Sequence, residues 1–98
     1  MGTDEEKSKQ RFALNRQHLA EWNAQLALEV RARIALDDKH IQEHKQAYLD
    51  EINFRDRASL ATSQLDAIHE LIRQNRAVRI MMRQRHQQED EDLNQKLA

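Results

Sequence analysis

The sequence has almost none of the residues that build turns and connections between strands. It contains one glycine and no proline among 98 residues, whereas average usage would give about twelve such residues. Tight turns and β-bulges depend on glycine and proline, but long helices need neither. The composition therefore predicts an all-α fold.

Cysteine is absent as well, which excludes disulfides and thiolate sites but leaves the compartment open. No apolar run approaches the length of a membrane span, and the N-terminus lacks the basic and apolar regions of a secretory signal. We therefore expect a cytoplasmic protein. The formal net charge is −1, so binding driven by overall charge is not indicated.

What is present is a highly charged chain with a modest apolar content. Charged residues make up 34% of the sequence, hydrophobic residues make up 39%, and the mean hydropathy is −0.99. Small domains with few large apolar side chains usually need a covalent or metal cross-link, or a partner, for stability. We expect this chain to bury its apolar surface against another helix, through self-association or a partner.

The second half of the chain carries a coiled-coil pattern, in which apolar residues recur at alternating spacings of three and four. Asn75 lies at an a position of this seam, where a buried amide would set the register and the number of partners. The alternative is that Asn75 faces water because the partner contacts another face. The predicted interface residues of this half are Leu65, Ile68, Leu71, Asn75, Val78 and Met82.

The first half carries an apolar stripe that begins at Phe12 and is interrupted at Asp37 and Lys45. Its gaps of three, four or seven residues keep one face of a helix. Interrupted seams usually have neighbours on more than one side, so this half fits a helical bundle as well as a two-stranded coiled coil. The predicted interface residues of this half are Leu19, Trp22, Leu26, Val30, Ile34, Ile41, Tyr48 and Ile52.

We predict a single helical module over residues 1–98. Thr3 and Glu6 have the spacing of a capping box, so helix 1 is expected at about 4–56. Ser63 resembles a second N-cap, which predicts a turn near 57–63 and helix 2 at about 64–95. Because no glycine or proline marks the turn, a continuous helical rod remains the alternative to a helical hairpin.

A basic run follows in the second half and precedes an acidic segment. Its arginines would suit docking onto an acidic protein surface. The alternative is a solvated face that balances the acidic tail. Nucleic acid and membrane are less favoured partners, since the run lacks aromatic residues for base stacking. The docking candidates are Arg73, Arg76, Arg79 and Arg83.

Two arrangements of histidine were considered as metal sites. Residues 40–44 spell H-x-x-E-H, a zinc-peptidase spacing that also needs a third ligand and a walled pocket. The pairs Asp37 with His40 and Asp66 with His69 are mirror images about residue 53, loosely like the paired motifs of di-iron bundles. A chain this narrow cannot supply the pocket that the first needs, and the second has Asp in place of Glu and no evident bridging Glu residues, so we predict no metal, no cofactor and no catalytic residue.

The sequence as a whole is similar in composition and periodicity to coiled-coil scaffold proteins, although no family motif supports the resemblance. It predicts a non-enzymatic structural or protein–protein interaction module. The expected partners are further copies of the chain or helices of a larger assembly. The alternative is a small helical chaperone or adaptor that holds an amphipathic client helix, with residues 22–34 as the receiving face.

Overall fold

The computed structural model describes residues 2–98, and these form two long helices. Helix α1 spans Asp4–Leu49 and helix α2 spans Phe54–Leu97. No strand occurs in this described part of the chain. The prediction of an all-α fold is confirmed, and the two helices are separated by a turn, as in a helical hairpin and unlike a continuous rod.

Helix α1 begins at the capping box that the sequence predicts. The backbone amide of Glu6 donates a hydrogen bond to Oγ1 of Thr3 at 3.2 Å, and the amide of Thr3 donates to Oε2 of Glu6 at 3.2 Å. These two bonds satisfy amides that have no partner within the helix. The acidic side chains of Asp4, Glu5 and Glu6 also interact favourably with the positive end of the helix dipole.

The turn between the helices lies at residues 50–53, earlier than predicted. Glu51 adopts a left-handed backbone conformation with φ of 50°. Its amide donates to the carbonyl of Tyr48 at 3.2 Å, and the amide of Ile52 donates to the carbonyl of Ala47 at 3.3 Å. This is the bonding of a Schellman motif, which usually has glycine at the left-handed position. Glutamate holds that position here, so a search for glycine could not find the turn.

Helix α2 begins directly after the turn, where Asn53 serves as its N-cap. Oδ1 of Asn53 accepts a hydrogen bond from the amide of Asp56 at 2.8 Å. The predicted turn at 57–63 is wrong, since these residues are helical and Ser63 lies inside α2. The hydroxyl of Thr62 donates to the carbonyl of Ala58 at 3.0 Å, which lets a threonine remain within a helix.

The chain divides into two compact units. The terminal unit combines the described residues up to Ala27 with Ala77–Ala98, and the turn unit is Leu28–Arg76. In the terminal unit, Nε of Arg11 donates to Oδ1 of Asn94 at 3.2 Å. In the turn unit, Nε2 of Gln64 donates to the carbonyl of His40 at 3.3 Å. Within each unit a segment of α1 thus contacts a segment of α2.

Few of the described residues are buried, and three of these four are polar. Among residues 2–98, the buried residues are Leu97, His18, Gln64 and His86. Many large apolar side chains are instead exposed, including Val30, which is 58% exposed. Most of the apolar stripe predicted for the first half is therefore exposed, and of its interface residues only Trp22 and Ile52 are half-buried.

A histidine and carboxylate cluster as the candidate functional site

Two identical local motifs meet in the terminal unit. Helix α1 contributes His18 and Glu21, and helix α2 contributes His86 and Glu89, so each helix carries a His-x-x-Glu segment. A spacing of three residues places both side chains of each motif on one face of its helix. The two faces contact one another, which brings both histidines and both glutamates into a single cluster.

The pairing across the cluster is reciprocal, since each histidine contacts the glutamate of the other helix. Nε2 of His18 lies 3.2 Å from Oε1 of Glu89, and Nε2 of His86 lies 2.7 Å from Oε2 of Glu21. A carboxylate only accepts, so each ring nitrogen is the donor. The imidazole rings stack on one another with centroids 3.9 Å apart and an interplanar angle of 13°.

Burial distinguishes this cluster from ordinary surface ion pairs. His18 and His86 are only 8% and 6% exposed, while Glu21 and Glu89 are half-buried. The ring of Trp22 meets His86 edge-on, with centroids 5.8 Å apart. Polar interactions at partly dehydrated positions are stronger than in water, because the local dielectric constant is lower.

Arg85 joins the cluster from the adjoining position of α2. Its guanidinium contacts the Glu21 carboxylate and donates from Nη1 to Oε1 of Glu89 at 3.2 Å. The hydrogen bonds from Arg85, then from His86, lower the pKa of Glu21 from 4.5 to about 2. Reciprocally, the contact with Glu21 raises the pKa of Arg85. Glu21 is therefore a carboxylate anion throughout the physiological pH range.

The cluster brings together nitrogen and oxygen atoms that can act as ligands of a cation. One ligand atom from each of His18, His86 and Glu89 lies within 4.8 Å of the others. These residue types can hold a proton or a divalent cation, or they can fix the pairing of two helices through specific hydrogen bonds. Within residues 2–98, no other group of three His, Asp or Glu side chains converges in this way.

The two histidine arrangements considered from the sequence do not converge. His44 is exposed at the turn, where it lines a shallow pocket with Ala47 and Leu60. Asp37 is exposed and forms an ion pair with Arg33 at 3.0 Å. The remaining members are half-buried or exposed: His40, Glu43, Asp66 and His69.

The apolar residues predicted for an interface fall into two groups. Half-buried positions are held by Trp22, Ile52, Ile68, Leu71, Asn75 and Met82. Exposed positions are held by Leu19, Leu26, Val30, Ile34, Ile41, Tyr48, Leu65 and Val78. The four arginines considered for docking, Arg73, Arg76, Arg79 and Arg83, are all exposed, and Arg73 contacts Glu70 of its own helix.

Sequence reasoning missed His18 and His86, although a signal was present. These residues are equally far along the chain from Ile52, as are His40 and Gln64, which also contact each other. The mirror point used for the aspartate and histidine pairs was residue 53. Moving it by one residue pairs His18 with His86 and His40 with Gln64, so an accurate turn position was the missing information.

Among the described helices, neither has a stretch both long and apolar enough to cross a membrane. Comparison with protein-family models, curated proteins and solved structures found no match to this chain.

Proposed function

We propose that this chain is a non-enzymatic helical interaction module, a scaffold subunit that self-associates through an apolar face of its turn unit. One observation supports this most strongly. Three of the four buried residues among 2–98 are polar, whereas Val30, Ile34, Ile41 and Tyr48 are at least half exposed. Water contact with such side chains is unfavourable, and a partner that covers them removes that contact.

The proposed face, called here the outer face, consists of Val30, Ile34, Ile41 and Tyr48 on α1. Their spacings of four, seven and seven residues keep them on one side of the helix, and Ile41 and Tyr48 are 50% and 84% exposed. Full burial of a large apolar side chain stabilises by about 1.5–3 kcal/mol. Covering the outer face is therefore a large favourable contribution that the chain does not obtain alone.

A second copy of the chain is the partner that we propose. The chain exposes 8000 Å², against about 5900 Å² for a monomeric protein of its mass. The outer face belongs to this extra surface, and a stable interface covers roughly 800 Å² per partner. The turn unit has eight Lys and Arg residues and nine Asp and Glu residues, so two copies meet without strong charge repulsion.

The test compares two neighbouring positions of α1 that point in different directions. Ile41→Glu places a carboxylate in the outer face, while Gln42→Glu places the same carboxylate one residue further, about 100° around the helix. We expect the unmodified chain and Gln42→Glu to associate and Ile41→Glu to be monomeric. Size-exclusion chromatography with light scattering measures the mass, and circular dichroism checks that both variants remain helical.

Other outcomes would redirect the proposal. Equal association of both variants would show that the outer face is not the interface. A monomeric chain that gains order only with an added amphipathic helix would favour the chaperone or adaptor alternative. Residence in the cytoplasm and docking of an acidic partner on Arg73, Arg76, Arg79 and Arg83 belong to the same proposal, and both rest on the sequence alone.

A further inference from the structure

We propose that the terminal unit binds one late first-row divalent metal ion, of which zinc is the best fit, through His18, His86 and Glu89. Two imidazoles and one carboxylate form a donor set that zinc accepts, with water completing four-coordination. The three side chains already converge, with ligand atoms within 4.8 Å of one another. This inference does not depend on self-association of the turn unit.

The spacing of His18 and Glu89 already matches that of two ligands on one ion. Zinc binds nitrogen and oxygen at about 2.0–2.1 Å, so two tetrahedral ligands stand about 3.4 Å apart. Nε2 of His18 and Oε1 of Glu89 are 3.2 Å apart. A metal ion can therefore take the place of the proton between these atoms with little movement. The His86 ring is stacked on that of His18 at 13°, so it must tilt until the lone pair of Nδ1 points at the ion, while Nε2 keeps facing Glu21.

When a metal ion binds Nε2 of His18, the proton on that nitrogen can move to Nδ1 of the same ring. Nδ1 of the same ring lies 3.7 Å from Oδ1 of Asp90. A shift of tautomer puts the proton on Nδ1, where it faces this carboxylate, and leaves Nε2 free to bind metal. A carboxylate behind a metal-bound imidazole is a recurrent arrangement that fixes the tautomer and strengthens the ligand. Asp90 is thus a positioning residue.

The charge of the cluster also suits a divalent cation. The cluster holds three carboxylates and one guanidinium: Arg85 contacts Glu21 and Glu89, and Asp90 faces His18. With both imidazoles neutral, these groups carry a formal charge of −2. A divalent ion neutralises that charge, whereas Arg85, being a cation beside Glu89, weakens metal binding by repulsion.

Glu21 has a supporting role in this arrangement. Its carboxylate lies 2.7 Å from Nε2 of His86 and so orients the ring. Oε1 of Glu21 also accepts a hydrogen bond from Nε2 of Gln17 at 3.3 Å. Loss of such an orienting carboxylate typically weakens metal binding about 10- to 100-fold. We expect Glu21→Gln to fall within that range while metal is still bound.

The test is a titration of the purified, chelator-treated full chain with zinc chloride in competition with a zinc indicator dye. Cobalt chloride is the second probe, because tetrahedral Co²⁺ bound by nitrogen and oxygen absorbs visible light strongly. We expect one ion per chain. His18→Gln and His86→Gln should abolish stoichiometric binding, and the control His69→Gln, at an exposed histidine of α2, should bind as the unmodified chain does.

Arg85→Gln is expected to tighten zinc binding severalfold, because it removes the positive charge beside Glu89. Circular dichroism verifies that each variant is helical, and Ile41→Glu should bind zinc normally because its change lies in the turn unit. Failure of the unmodified chain to bind one ion would overturn the inference. Binding that survives in both His18→Gln and His86→Gln, or that disappears in His69→Gln, would identify an adventitious ion only.

Discussion

At the scale of single residues, one carboxylate holds together much of the polar cluster of the terminal unit. Glu21 contacts Arg85, His86 and Gln17, all through its one carboxylate. Glu21 is half-buried and Arg85 is exposed, so their ion pair by itself adds little net stability. Such groups therefore specify which residues pair more than they add to net stability.

The lowered pKa of Glu21 predicts a dependence of stability on pH. The native pKa of about 2 lies below the ordinary value of 4.5, so the ionised carboxylate favours the folded state above pH 4.5. That contribution is lost as the pH falls from about 4.5 to about 2, where the native carboxylate takes up a proton. Urea unfolding of the metal-free chain and of Glu21→Gln should show a stability difference that shrinks across this window.

Arg85 supplies the control for this measurement, because its hydrogen bond to Glu21 is the largest cause of the lowered pKa of Glu21. In an Arg85→Gln background, the same Glu21→Gln comparison should depend much less on pH. Other carboxylates titrate equally in both members of each pair and cancel. A difference that stays constant between pH 5 and pH 2 in the unmodified background would contradict the native contacts of Glu21.

The cluster was hidden from sequence reasoning for a physical reason. His18 and His86 are far apart in the chain, and only the register of α1 against α2 brings their rings to 3.9 Å. Register depends on the position of the turn, and an error of one residue changes every pair. The local signal, a His-x-x-Glu segment on each helix, is too short to be informative without the register.

At the scale of elements, the capping signal at Thr3 gave a correct helix start, whereas the similar signal at Ser63 lies inside α2 and gave a wrong one. The reciprocal bonds of Thr3 and Glu6 depend only on neighbours within one turn, so the start of α1 followed from sequence. The end of α1 depends on Glu51, a residue with no special preference for a left-handed conformation. The start of α2 could have been located from Asn53, because an asparagine followed three residues later by an aspartate fits a helix N-cap.

Glu51 also offers an element-scale prediction. A residue with a Cβ atom is disfavoured at positive φ, while glycine adopts it readily. Replacing Glu51 by glycine relieves about 1–2 kcal/mol of backbone penalty and costs roughly 0.5–1 kcal/mol of extra chain entropy, so the free energy of unfolding should rise by about 0.5–1 kcal/mol. Urea unfolding at fixed protein concentration measures the change. Glu51→Ala is the matched control, because it removes the same carboxylate but keeps Cβ; a gain as large as that of glycine would argue against the left-handed turn.

At the scale of the whole molecule, the amount of apolar surface was predictable, but the side of each helix that turns inward was not. Periodicity identifies an apolar stripe on α1, yet Ala32, Leu36, His40 and Ala47 take the half-buried positions of the turn unit. Small side chains allow two helices to approach closely, which favours the alanine-bearing face for pairing within the chain. The larger side chains of the outer face then remain exposed, where a second copy of the chain can cover them.

The central claim is that each chain leaves the outer face exposed and relies on a second copy to cover it. Sedimentation equilibrium of the unmodified chain, over a wide range of concentrations, tests this most directly. The chain has a mass of 11.7 kDa, and we predict twice that value at high concentration, with a reversible decrease on dilution. A mass of 11.7 kDa at every concentration, from a fully helical protein, would contradict the claim.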